Sequence, residues 1–208
     1  MKIVKPSYKI MSKINREELL KTIEIAGRTC YKSENKITED SASKFVKMLI
    51  KNGHEAMIEH NSISVKFVCD RGVSHEIVRH RIASFAQEST RYCNYSNDKF
   101  GNEITFIKPF FFNEESLNYA FWKSSCEYSE SYYMRLIENG ASAQEARSVL
   151  PNSLKTEIVV TANLREWRNI LNLRCSKEAH PQMRELMLPL LFDLYNKIPE
   201  VFEDIYLK

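Results

Sequence analysis

The stretch Arg79-His80-Arg81-Ile82-Ala83-Ser84-Phe85-Ala86-Gln87-Glu88-Ser89-Thr90-Arg91 packs three arginines, a histidine and Ser89 into thirteen residues. A guanidinium keeps its charge at any working pH and offers a phosphate two parallel donors, so the stretch is suited to holding an anion. Guanidiniums this close must reach solvent, pair with acids such as Glu76 and Glu88, or hold a ligand. By pattern alone, a solvated and salt-bridged face stays open beside the anion site. Ser89 has no acid-oriented histidine next to it in sequence to activate it, which places it in binding rather than nucleophilic catalysis.

A second group runs through Arg147, Asn163-Leu164-Arg165, Asn169 and Arg174. Taken singly, Asn163 reads as a helix cap, Asn169 as a solvated amide and Arg174 as the partner of a helix C-terminus. Together, on or beside one short helix, they exceed what a surface needs. A third group is His54-Glu55-Ala56-Met57-Ile58-Glu59-His60. Its histidines are six apart and diverge, whereas a zinc protease helix sets them four apart on one face, so no metal is expected. By residue type alone, His54 reads as the cap of a helix-to-strand turn.

The elements that must carry these groups are legible from caps and periodicity. Asn15-Arg16-Glu17-Glu18 opens a helix over 16–26, and a second helix is predicted over 38–52 with Gly53 as its stop. Ser62 to Cys69 alternates as a half-buried strand, and Asp70 caps a helix through Val73, Ile77 and Val78 that carries Arg79-His80-Arg81 at or near its end. Gln87 to Arg91 is expected in the irregular segment beyond. Ile104–Lys108 and Thr156–Ala162 read as strands, and Glu114–Asn139 as a long aromatic helix ending at Gly140. Ser142-Ala143-Gln144-Glu145 is a capping box for a helix ending near Pro151. Asn163 starts another to about Asn172, and the last helix spans 181–195 through Pro189. Without a regular βαβ repeat, this order predicts an α+β fold with a central, mostly antiparallel sheet flanked by helices.

Composition bounds the rest. The 208 residues fit one domain, 1–208, able to bury roughly 70–75% of the unfolded surface. Hydrophobic residues make up 43% and charged residues 27%, with no apolar run near the length of a membrane span. Met1-Lys2-Ile3-Val4-Lys5-Pro6 soon meets polar residues with no leader-like apolar core, so a cytoplasmic location is expected. The five cysteines are scattered and never spaced Cys-x-x-Cys, against both a disulfide framework and a zinc site. A net charge of +3 is too small for wholesale nucleic-acid binding, and the five glycines form no dinucleotide or Walker loop.

Arg79-His80-Arg81, Ser89 and Arg91, accompanied by the Asn163-to-Arg174 pattern, closely resemble the signature of the flavin-dependent thymidylate synthases, and the resemblance spans His54 to about His180. It implies reductive methylation of dUMP to dTMP, with methylenetetrahydrofolate as carbon donor, FAD as the redox cofactor and NADPH recharging it, in a homotetramer. It implies FAD contacts at Ala56, Arg79, His80, Arg81, Gln87, Asn163, Leu164, Arg165, Asn169 and His180. For dUMP it implies Glu76, Ile77, Val78, Arg79, Gln87, Glu88, Ser89, Thr90 and Arg91, with Arg147 reaching in from a neighbouring subunit. Arg174 would meet the uracil ring as the principal catalytic residue, stabilising negative charge as the ring nitrogen loses its proton. His54 would position the carbon donor. Two positions depart from the family pattern: Ala56 stands where many relatives have a hydroxyl residue, and Glu178 where some have a histidine. Two other classes stay open beside this one. A nucleotide-binding regulatory protein would use the same arginines without methyl transfer, and a single-strand binder would add Phe85, Tyr92 and Tyr95 as stacking platforms.

Overall fold

Alternation along Ser62–Asp70 buries Ile63, Val65, Phe67 and Cys69 on one face, and Lys155–Asn163 likewise buries Thr156, Ile158, Val160 and Ala162. These two strands are the middle of a four-stranded antiparallel sheet. In this computed structural model, which describes residues 1–207, the strands are β1 (Lys2–Val4), β2 (Ser7–Ile10), β3 (Ser62–Asp70), β4 (Ala83–Gln87), β5 (Thr105–Ile107) and β6 (Lys155–Asn163). The sheet order is β2-β3-β6-β4. A separate parallel pair joins β1 to β5, with Lys2 opposite Thr105 and Val4 opposite Ile107.

The helices are α1 (Arg16–Thr29), α2 (Ser41–Lys51), α3 (Arg71–Ile77), α4 (Leu117–Glu138), α5 (Ala143–Ala146), α6 (Leu164–Arg174), α7 (Pro181–Lys197) and α8 (Pro199–Tyr206), so the α+β expectation holds. Caps fall where the sequence puts them: Asn15 accepts from the Glu18 amide, Asp70 from Val73 at 2.8 Å and Asn163 from Glu166 at 2.8 Å. Gly140, at φ +88°, closes α4, and Gly53, at φ +70°, follows α2.

Helix α3 stops at Ile77, so Arg79, His80 and Arg81 follow close on its end, as expected. Two expectations need correction. Gln87 is not in an irregular segment but closes β4, an edge strand whose Ala-Ser-Phe-Ala-Gln sequence has little intrinsic β preference. The helix expected up to Pro151 ends at Ala146 and tightens into a 3₁₀ turn, Arg147–Val149. Strands β1 and β2 and helix α8 were not expected at all.

The chain divides into two compact units built from interleaved segments. The first comprises Met1–Ser7, Phe67–Arg79 and Ala86–Val159. Its core gathers Tyr95, Ile104, Phe106, Cys126, Tyr133, Ala146 and Leu154. The second comprises Tyr8–Lys66, His80–Phe85 and Val160–Lys208, where Trp167 is fully buried and donates from its indole nitrogen to the Ile63 carbonyl at 2.9 Å. No helix of the described residues is long and apolar enough to cross a membrane.

Candidate active site

In the second unit, α6 presents its N-terminal residues and one face to a cleft of about 570 Å³ lined by Asn163, Arg165, Glu166, Arg168, Asn169 and Asn172, with Glu55 and Glu59 opposite and Ile82 and Ile205 completing the wall. Its position follows from the helix period: buried Trp167, Ile170 and Leu171 turn into the core and leave the intervening polar residues at the cleft. Leu164 is fully buried, so only its backbone could reach a ligand, and its N–H already bonds the Asn61 carbonyl at 3.0 Å.

The acids opposite are held by guanidiniums. Arg165 donates to Glu59 at 2.6 Å. Arg168, buried, donates to Glu55 at 3.1 Å, bidentately to Asp204 at 2.7 and 2.8 Å, and to the Val201 carbonyl. Burial alone would lower the pKa of Arg168, but Asp204 and Glu55 outweigh it and the guanidinium is held in its charged form.

His80 and Arg174, ninety-four residues apart in sequence, meet in this unit. The Arg174 Nε donates to His80 Nε2 at 3.0 Å, while His80 Nδ1 lies 3.3 Å from the Glu166 carboxylate. Burial first, and Arg174 second, push the histidine pKa below its ordinary 6.5, with Glu166 pulling only partly back, so the ring is neutral at pH 7. Among the other residues singled out here, Arg81 is exposed beyond α3. Ala56 and His54 are exposed at a 3₁₀ segment, Glu55–His60, and just before it. His180 caps α7, its Nδ1 accepting from the Gln182 amide at 3.3 Å.

In the first unit a second set assembles around the loop after β4. Gln87 ties the strand end down by donating to Ser74 at 2.8 Å and Thr156 at 3.2 Å. The Ser89 hydroxyl accepts from the Arg91 amide at 3.3 Å, and the Ser89 carbonyl accepts from the amides of Tyr92 and Cys93, which curls the loop. Arg147 donates to buried Thr90 at 3.2 Å, so within its own chain this guanidinium stands at the loop rather than away from it. Glu88 is committed to Tyr95 at 3.0 Å and Lys155 at 2.9 Å. Burial would lower the Lys155 pKa, but Glu157 and Glu88 raise it on balance, which keeps the ammonium charged. Arg79 is exposed, Glu76 half-buried and Ile77 buried in the core, so Ile77 could meet a ligand only through its backbone. The sequence left Glu166, Arg168 and Lys155 without a site role, and Tyr95, offered as a stacking platform, is instead buried in the core. Glu166 and Arg168 share the one-turn spacing of Asn163, Arg165 and Asn169 on α6, a signal that could have found them.

A sheet flanked by helices, with a guanidinium-and-amide cleft along α6 and an Arg/Ser/Thr loop after β4, is the architecture of a protein that could meet an anionic ligand through arginines rather than through a glycine-rich loop. The family model described as thymidylate synthase complementing protein matches residues 13–200, and the chain belongs to that family. The flavin-dependent thymidylate synthase of Geobacter sulfurreducens is 30% identical over 189 residues, covering 88% of this chain and 80% of that protein. That of Pyrococcus furiosus is 32% identical over 169 residues, covering 81% and 68%. A solved structure described as the UMP/dUMP methylase PolB from Streptomyces cacaoi bound with 5-Br dUMP superposes with a TM-score of 0.80 at 20% identity, over 98% of this chain and 96% of that one, a likeness of fold.

Proposed function

We propose that this chain is a flavin-dependent thymidylate synthase, one catalytic domain over residues 1–208, that methylates dUMP to dTMP. Methylenetetrahydrofolate is the carbon donor in this reading, NADPH the hydride donor, and FAD the cofactor. The observation that carries it is α6, which with its cap sets Asn163, Arg165 and Asn169 at the cleft and Arg174 at its C-terminal end, in a chain matched to the family over 13–200. That single match runs through segments of both compact units, which supports treating them as one domain.

The residues fit a flavin. Amide side chains of Asn169 and Asn172 can exchange hydrogen bonds with the ring's imide edge, Ile82 and Ile205 supply apolar wall, and exposed Arg165 suits a phosphate. Reduced FAD, when bound, supplies the hydride that turns the transferred one-carbon unit into a methyl group. The chain's own part is to hold and polarise. Ser89 and Arg91 hold the nucleotide phosphate, with Arg147 reaching in from a neighbouring subunit, and Glu76, Ile77, Val78, Arg79, Gln87, Glu88 and Thr90 complete the nucleotide's contacts. Arg174 stabilises the charge that develops on the uracil ring as its nitrogen is deprotonated, which raises the nucleophilicity of the opposite ring carbon. Arg79, His80, Arg81, Gln87, Leu164, His180 and the Ala56 segment are assigned to FAD, and His54 to the folate.

A homotetramer in the cytoplasm completes the reading, supported by the family likeness and by five unpaired cysteines. The test is the visible spectrum of the purified protein before and after dUMP, followed by turnover with folate and NADPH. A flavin band that shifts with dUMP, and dTMP formed, is the expected result. A colourless protein that refuses added FAD overturns it.

A further inference from the structure

The geometry points to Glu166 as a positioning residue for the methylation chemistry: its carboxylate orients the His80 ring so that the ring nitrogen Nε2 accepts from, and thereby fixes, the Arg174 guanidinium. This rests on the reading of Arg174 as the group that meets the pyrimidine.

Glu166 is only 7% exposed, and a buried carboxylate is costly unless its oxygens are occupied. Asn169 donates to both of them at 3.3 Å, and His80 Nδ1 stands 3.3 Å from one. His80 is buried as well, at 5%. Its two nitrogens face groups of opposite character. A carboxylate can only accept and a guanidinium can only donate, so one tautomer alone, with the proton on Nδ1 and a lone pair on Nε2, satisfies both neighbours. The other tautomer, or the doubly protonated ring, sets an N–H against the Arg174 N–H at a separation of 3.0 Å. Glu166 therefore selects the proton position that lets His80 hold Arg174. An acid in the first turn of α6 also favours the helix dipole, but that role explains neither its burial nor its aim at His80. Arg174 lies at the other end of the same helix, so α6 supplies both the guanidinium and the carboxylate that bracket one imidazole.

The test compares FAD-loaded wild type, Glu166→Ala and Glu166→Gln. Glutamine keeps an oxygen that accepts from Nδ1–H, whereas alanine keeps nothing. Loss of kcat by roughly 10- to 100-fold in E166A, as expected for a displaced catalytic group, with flavin retained and most of the rate restored in E166Q, supports the assignment. Unchanged kcat in folded, flavin-loaded E166A overturns it, and so does an equal loss in both variants. If E166A does not fold, ¹⁵N spectra of histidine-labelled wild type decide. A His80 ring protonated at Nδ1 alone at neutral pH supports the proposal, and a proton on Nε2 overturns it. That spectrum needs no turnover, so it separates failure of this inference from failure of the synthase reading, which would show as an inactive wild type.

Discussion

Arg174 donates from its Nε to a neutral histidine, and that partner matters chemically. An imidazole at Nε holds the guanidinium in place without adding a counter-charge of its own, which suits an anionic transition state. Arg174→Ala is therefore expected to lower kcat by about 10² to 10³-fold while sparing FAD binding, measured by turnover and by flavin content of the same preparation. Retained activity would remove its catalytic role. The depressed His80 pKa also ties stability to pH. A base whose folded pKa lies below its unfolded value binds more protons when unfolded, so its contribution is complete above 6.5 and is lost as pH falls from there towards the folded value. The melting temperature should fall across that window, and His80→Gln, which cannot titrate there, should flatten the slope. A slope unchanged by H80Q would assign the acid sensitivity elsewhere.

Among the elements, α6 does most of the positioning, and buried Arg168 ties it to its neighbours. Arg168 joins Glu55 of the 3₁₀ segment to Asp204 and the Val201 carbonyl of α8, the helix whose Ile205 walls the cleft. Removing it takes a donor away from two acids and a carbonyl. Arg168→Met should cost roughly 3 kcal/mol in a urea unfolding titration and weaken FAD binding, because the 3₁₀ segment and α8 lose their common tie. Loss of stability with flavin affinity unchanged would show that the clamp serves the fold alone. The packing of α1 on α2 gives a second test. A Cβ added at Gly27 would meet the Phe45 ring at 2.6 Å, beneath the Arg28 guanidinium stacked 4.5 Å above that ring. Alanine is the better helix former by up to about 1 kcal/mol, yet overpacking typically costs about 1–3. Gly27→Ala should destabilise on balance, and a raised melting temperature would show that Phe45 yields.

At the scale of the whole molecule, the family match over 13–200 and a four-stranded antiparallel sheet flanked by helices agree on one architecture. The proposed tetramer predicts a light-scattering mass four times the 24.4 kDa of the chain, and a monomeric mass in the active preparation would refute it. The sequence by itself determined what neighbouring residues decide. Asn15, Asp70, Ser116 and Asn163 cap helices because a short polar side chain reaches an amide two or three residues on, and β3 and β6 alternate because a strand shows its faces in turn. The Arg-His-Arg signature with its distant companions on α6 was also legible, since residue type and spacing are all that a signature contains. Tertiary structure decided the rest. Ala83–Gln87 becomes a strand because β6 offers it an open edge, as in the 2.8 Å bond from the Glu88 amide to the Glu157 carbonyl, not because of its own preference. Strands β1 and β5 pair across about a hundred residues that no local pattern links. Glu166, readable only as an acid in a helix's first turn, acquires its aim from His80, eighty-six residues earlier, and Arg147 meets Thr90 across fifty-seven. Capping and alternation act within a turn or two of chain and so are written locally. Which buried proton faces which guanidinium is settled only when distant segments close around each other and exclude water.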